Sequence, residues 1–215
     1  MNTNRNPIRI LCYGDSNTWG YIPATAKRHP VGARWTSLVQ EKLGNKYEII
    51  EEGLNSRTTI LDDPKHVGKN GKTYLTPCLQ SHDPIDLVVL MLGTNDMKER
   101  FNRSPEQIVG GVEELINDID EIEYDEGKAP KILLMSPPLI DESVEGVAEK
   151  YLGAEAKSKQ LGKLYENLAK KYSLAFIDLA EQVSPSKKDG YHLDEQSHKI
   201  VSELVARTIL EVMVK

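Results

Sequence analysis

Cysteine, surplus positive charge and long apolar runs are all scarce in this chain, and each shortage removes a class of function. Among 215 residues there are two cysteines, Cys12 and Cys78. Two thiols in a chain this long do not make a disulfide framework, and Cys12, inside a strand-like run, reads as a small buried hydrophobe. No C-x-x-C or H-x-x-x-H pair offers metal-ligand spacing, so no metal and no cofactor is expected. Basic residues number 27 against 33 acidic, a net charge of −6. A nucleic-acid partner needs a basic face, and none is indicated. No stretch approaches the roughly 20 apolar residues that span a bilayer, so no membrane partner is expected. The polar N-terminal tail, residues 1–7, lacks the apolar core and cleavage site of a secretory signal, which points to the cytoplasm. P-loop and G-x-G-x-x-G patterns are missing too, which argues against a nucleotide binder.

What is present is the composition of an ordinary globular protein, 39% hydrophobic and 28% charged, long enough for one sizeable core and expected to form a single domain over 1–215. Five segments read as buried strands: Ile8 to Tyr13, Tyr47 to Glu51, Leu87 to Leu92, Lys131 to Met135 and Ala175 to Leu179. The third is apolar throughout, as a central parallel strand covered on both faces requires. Helical patterns lie between them: Trp35 to Leu43, Glu106 to Ile122 (opened by Ser104 as N-cap and Pro105), Ala154 to Tyr172 and Asp194 to Val214. This alternation predicts a doubly wound α/β sheet. The acidic run from Glu113 to Glu126 reads as a solvated helix face and its exit loop. Two long connections, Arg57 to Pro84 and Pro137 to Gly153, break the rhythm, and such loops often border a site or an interface.

In an open α/β sheet, ligands bind outside the carboxyl ends of the strands. Ser16 follows the first strand, Asn55 and Ser56 the second and Asn95 the third, while Asp189 and His192 precede the last helix. All should therefore gather on one edge. Each motif alone is weak. Gly14-Asp15-Ser16 can be a plain turn with a capping side chain, Asp189 can be a turn residue, and Asn95 can make an Asx-turn. Together they supply a nucleophile, a base, an orienting acid and an amide donor, the set that acyl transfer needs. Three-residue spacing across a tight turn can bring the Asp189 carboxylate to one imidazole nitrogen of His192, freeing the other for Ser16.

These residues resemble the SGNH (GDSL-type) hydrolases, a family of serine esterases with four short sequence blocks. Ser16 in Gly14-Asp15-Ser16 matches the first, Asn95 in Gly93-Thr94-Asn95-Asp96 the third, and Asp189-Gly190-Tyr191-His192 the last. The second block, where the family has glycine, maps onto Asn55-Ser56-Arg57-Thr58-Thr59 and puts Ser56 at the glycine position, with Gly53 as the competing assignment. The wording around these blocks is similar to the bacterial arylesterase/acyltransferase-like members. The resemblance implies a three-layer α/β/α fold with five parallel strands in flavodoxin-like order. It also implies a triad of Ser16, His192 and Asp189, and an oxyanion hole of the Ser16 and Ser56 amides with the Asn95 side chain. A small-acyl ester would be the substrate, acyl transfer to alcohols is an additional activity of some members, and a homo-oligomer is expected by the same analogy.

The ordinary α/β-hydrolase elbow, G-x-S-x-G, is absent, since Thr18 stands two residues after Ser16. Asp15 is expected to fix the turn or the Arg57 loop. Trp19 and Tyr21 are candidate walls of the substrate pocket, with packing against the second helix as the alternative for Trp19. Trp35 is expected in the core, Arg34 and His198 on the surface, and His29, His66 and His82 in loops without a role. A sugar O-acetyl esterase and a non-catalytic ligand-binding module on the same fold are the competing functions.

Overall fold

The first strand, β1 (Ile8–Gly14), is flanked in register by two parallel neighbours, so its apolar residues are covered laterally as well as on both faces. The computed structural model describes residues 6–124 and 128–214; most of the polar tail and the end of the acidic run lie outside these. After β1 come a short helix α1 (Ser16–Trp19), a two-residue hairpin of β2 (Tyr21–Ile22) and β3 (Lys27–Arg28), α2 (Trp35–Leu43) and β4 (Tyr47–Gly53). Then follow α3 (Gly71–His82), β5 (Leu87–Met91), α4 (Pro105–Glu121), β6 (Lys131–Met135), α5 (Ala148–Tyr151), α6 (Ala154–Lys171), β7 (Ala175–Ile177) and α7 (Glu195–Val214).

The main sheet runs β4-β1-β5-β6-β7, all parallel, the flavodoxin-like order with the first two sheet strands exchanged. Alternate side chains feed opposite layers. Leu11, Tyr13, Val88, Leu90 and Leu134 pack with Leu75, Val112, Leu161 and Tyr165 from α3, α4 and α6. Ile10, Cys12, Val89, Met91 and Leu133 face Trp35 and Val39 of α2 and Val201, Val205 and Ile209 of α7. The result is the expected three-layer α/β/α sandwich. Helix α4 starts where the sequence says it should: Ser104 and Gln107 form a reciprocal capping box, with Pro105 at the first helical position, a cap worth about 1 kcal/mol.

Several expectations change: β4 runs on to Gly53, β5 stops at Met91, and α5 lies inside the connection from Pro137 to Gly153. The stretch Arg57 to Pro84 is not one long loop, because α3 occupies its second half. Asn70 starts that helix by accepting from the Lys72 and Thr73 amides, and Pro77 lies inside it, where its missing N–H removes one helical bond. The fifth strand ends at Ile177 rather than Leu179, since Asp178 accepts from the Ala180 amide and turns the chain into a single helical turn.

Candidate active site

The carboxyl ends of β1, β4 and β5 and the segment before α7 converge on one pocket of about 360 Å³, lined by Ser16, Ser56, Asn95 and His192 among others. Ser16 opens α1, so its N–H has no acceptor within the helix. Asp15 caps the same turn, its carboxylate accepting from the Asn17 amide at 2.9 Å, which is a role in fixing the turn. Burial raises the Asp15 pKa, against the pull of the Asn17 amide and of His192.

His192 Nε2 lies 3.0 Å from Ser16 Oγ, and its Nδ1 lies 2.7 Å from Asp189 Oδ2. The same carboxylate accepts from the Ala24 and His192 amides, at 2.9 and 3.2 Å. Burial works against the Asp189 carboxylate, but His192 and these two N–H groups more than offset it and hold its pKa below the usual value. With Asp189 ionised and accepting at Nδ1, the proton of neutral His192 sits there, and Nε2 is left basic toward the serine. Tyr21 stacks on the imidazole, with ring centroids 4.2 Å apart and planes 19° from parallel.

Asn17 was not singled out from the sequence, yet it holds the imidazole segment. Its Oδ1 accepts from the Leu193 amide at 2.9 Å and its Nδ2 donates to the Tyr191 carbonyl at 3.2 Å, clasping both peptide neighbours of His192. Its backbone is fixed as well, by Asp15 on the N–H side and by the Trp35 indole, which donates to its carbonyl at 3.1 Å.

Ser56 has φ of +65°. A left-handed backbone there is natural for glycine, the residue the family pattern expects, and costs a serine roughly 1 kcal/mol. Ser56 also lines the pocket. Gly53 has different work: it pairs with Gly14 in the sheet, and a Cβ there would sit 2.1 Å from the Trp19 backbone nitrogen. Asn95 donates one amide hydrogen to the Arg57 carbonyl at 3.0 Å, which orients the other hydrogen of its NH2 group. Next to it, Asp96 accepts from the Thr59 amide and hydroxyl. Burial raises the Asp96 pKa to about 6 despite those bonds. Arg57 is buried, donates to the Gly14 carbonyl at 2.9 Å and stacks over Tyr13 at 4.0 Å. These contacts tie the loop that carries Ser56 to the end of β1.

Other predicted residues fall elsewhere. Trp19 does not line the pocket; it packs on Tyr21 and under Arg28, whose guanidinium lies 5.3 Å from its ring. Arg34 is buried rather than exposed, because Glu51 takes its Nε and Nη2 at 3.1 and 2.8 Å and the His29 carbonyl takes Nη1. His198 is fully buried, not on the surface. The N-cap of α2, Arg34, offers no side-chain acceptor; His198 Nδ1 accepts the Trp35 N–H instead, at 3.2 Å. Burial and nearby His29 depress the His198 pKa to about 3, so it is neutral. His29 meets it edge-on, with centroids 5.1 Å apart.

His82 lies in the last turn of α3, its Nε2 3.0 Å from Glu52 Oε1. With Cys78, four residues earlier on the helix, these donors come within 4.8 Å of one another and are the group among the described residues that could hold a metal ion. A larger groove, about 1150 Å³, runs along β7 between α6 and α7 and holds none of the predicted site residues.

Comparisons with known proteins place the chain in a family. The model of the GDSL-like lipase/acylhydrolase family matches residues 12–200. Among solved structures, the native aryl esterase of M. smegmatis is 36% identical, with 94% of this chain and 98% of that one covered and a TM-score of 0.89. Est24, a carbohydrate acetylesterase from Sinorhizobium meliloti, is 38% identical, with 95% and 99% covered and the same TM-score of 0.89. The search of curated proteins finds no match. A family match over most of the chain, together with these two relatives, makes this protein a member of the GDSL-like lipase/acylhydrolase family.

Proposed function

We propose that the protein is a serine esterase for small-acyl esters, working through an acyl-enzyme. The observation that carries this reading is the continuous chain Ser16 Oγ, His192, Asp189, with links of 3.0 and 2.7 Å, at the wall of a small pocket. Ser16 attacks the ester carbonyl as His192 Nε2 takes its proton, and Asp189 stabilises the imidazolium that forms. The oxyanion is met by the Ser16 and Ser56 amides and by the Asn95 NH2, which act where charge develops. His192 returns the proton to the leaving alcohol, and water, or another alcohol, resolves the acyl-enzyme. A pocket of about 360 Å³ is near the lower end for ligand sites, which favours short acyl groups. The likeness to an aryl esterase and to a carbohydrate acetylesterase supports the same class, and acetylated sugars are the second reading on the strength of the latter.

The test is a panel of p-nitrophenyl esters, acetate to octanoate, with wild type and Ser16→Ala, each with and without a primary alcohol. Serine-dependent turnover that falls with chain length is expected, and a new ester formed from the alcohol reports acyl transfer. A Ser16→Ala protein that keeps the wild-type rate refutes the nucleophile assignment.

A further inference from the structure

The whole chain carries a net charge of −6, yet among the described residues no Asp or Glu lines the pocket beside Ser16, while Lys65, His66, Lys98, Arg100 and Lys150 all do. Arg100 is neutralised by Asp63. Lys98 is different. It is 6% exposed, and no carboxylate oxygen lies within 4.0 Å of its ammonium among the described residues. What faces it is the Tyr151 ring, 6.0 Å from Nζ, a weak partner for a desolvated cation. Burying an ammonium with no carboxylate in contact is costly, and burial together with Arg100 pulls its pKa down to about 8, against the more distant Asp63, Asp15 and Asp96. Lys98 also stands three residues after Asn95, as the C-cap of the turn that carries it. The cation is therefore fixed to the same short segment as the amide that faces the reacting carbonyl. Lys65 and Lys150 sit exposed on the rim, without ion pairs among the described residues, and extend the positive field outward.

We infer that the substrate carries an anionic group, a carboxylate or a phosphate, close to the ester that is cleaved, and that Lys98 is its principal binding residue. This rests on the esterase reading and narrows its substrate class. An anion seated there supplies the partner that Lys98 lacks, and a hydrogen bond to a charged group of this kind corresponds to a discrimination of about 10- to 100-fold. The positive rim also raises the encounter rate of anions in a salt-dependent way.

The experiment compares kcat/KM for two acid and methyl-ester pairs: 4-acetoxybenzoate with methyl 4-acetoxybenzoate, which place the charge on the alcohol side, and the p-nitrophenyl monoester of succinic acid with its methyl ester, which place it on the acyl side. Rates with Ser16→Ala are subtracted as background. In at least one pair the acid is expected to be favoured about 10-fold or more, with a ratio that shrinks at high salt and collapses toward unity in Lys98→Met. Lys150→Glu, on the exposed rim, is expected to lower the ratio partially. Because each ratio is internal to one protein preparation, partial unfolding of Lys98→Met does not imitate the result. Methyl esters equal to or better than the acids in both pairs overturn the inference, as does a preference that survives Lys98→Met unchanged. If none of the four esters is turned over in a Ser16-dependent manner, the esterase reading is what fails. The subsite is then read by calorimetry with 4-hydroxybenzoate and its methyl ester: binding of the anion alone, lost in Lys98→Met, supports it, and equal binding of both overturns it.

Discussion

Replacing Asn17 by alanine should disable the site without touching any of its reacting atoms. The Asn17 side chain is buried and makes two bonds, to the Leu193 amide at 2.9 Å and from its own NH2 to the Tyr191 carbonyl at 3.2 Å. The variant removes both and strands a donor and an acceptor on either side of His192. Each loss costs about 1–3 kcal/mol when the group stays dry, so the whole change is expected to cost about 2–5 kcal/mol of stability. The kinetic consequence follows from position. His192 Nε2 sits 3.0 Å from Ser16 Oγ, and a displacement of about 1 Å at such a contact lowers the rate on the order of 100-fold. The expected signature is a fall in kcat with KM little changed, measured with p-nitrophenyl acetate well below the variant's melting midpoint. Asn17→Asp separates the two bonds: it keeps an acceptor for the Leu193 amide but sets a carboxylate against the Tyr191 carbonyl, and so should recover only part of the loss. An Asn17→Ala enzyme with kcat within about threefold of wild type refutes the argument, because the segment would then hold its place without the clasp.

Two further outcomes follow. Ser56→Gly is expected to keep kcat/KM within about threefold, since the proposed donor is a backbone N–H, and to leave stability nearly unchanged as relief of roughly 1 kcal/mol of left-handed strain offsets the added freedom of the unfolded chain; a tenfold loss of activity would give the hydroxyl a role instead. The preference for an acid over its methyl ester is expected to decline as pH rises through about 8, where Lys98 loses its proton in the free enzyme. Arg100 lowers that midpoint, Asp63, Asp15 and Asp96 raise it, and the Tyr151 hydroxyl is held neutral by burial. A ratio that stays flat through that range counts against the assignment.

Where a signal is periodic and local, the sequence was easy to read. Leu87 to Met91 is apolar at every position because both faces of the strand are covered, and Ser104, Pro105 and Gln107 announce the start of α4 through short-range capping chemistry. The candidate site was legible in part for the same reason: Ser16, Ser56 and Asn95 sit just after strands whose parallel pairing brings their ends together, while Asp189 and His192 were read from their spacing just before the last helix. What escaped depends on long-range partners. Helix α3 carries Pro77, a breaker on propensity, and persists because Leu75, Cys78 and Leu79 pack into the core. The hairpin of β2 and β3 has two residues in each strand, too few for any alternation to register. Arg34 and His198 look like surface residues by type, but Glu51 and the Trp35 amide, which bury them, lie 17 and 163 positions away in the chain.

Those partners connect parts of the molecule that the sequence presents as separate. The N-terminus of α2 lacks a side-chain cap of its own, and His198 from α7 supplies one by accepting the Trp35 N–H. The Trp35 indole in turn donates to the Asn17 carbonyl, and the Asn17 side chain holds the backbone on both sides of His192. The packing of α2 on α7 is thus continuous, through one indole and one carboxamide, with the placement of the imidazole. His198 can fill this position because it is neutral, its pKa depressed to about 3 by burial; a protonated ring would offer no acceptor at Nδ1. A polar residue buried outside the pocket is thus linked to the orientation of the base, and the layer of the sandwich formed by α2 and α7 contributes to the site without lending a single atom to the reaction.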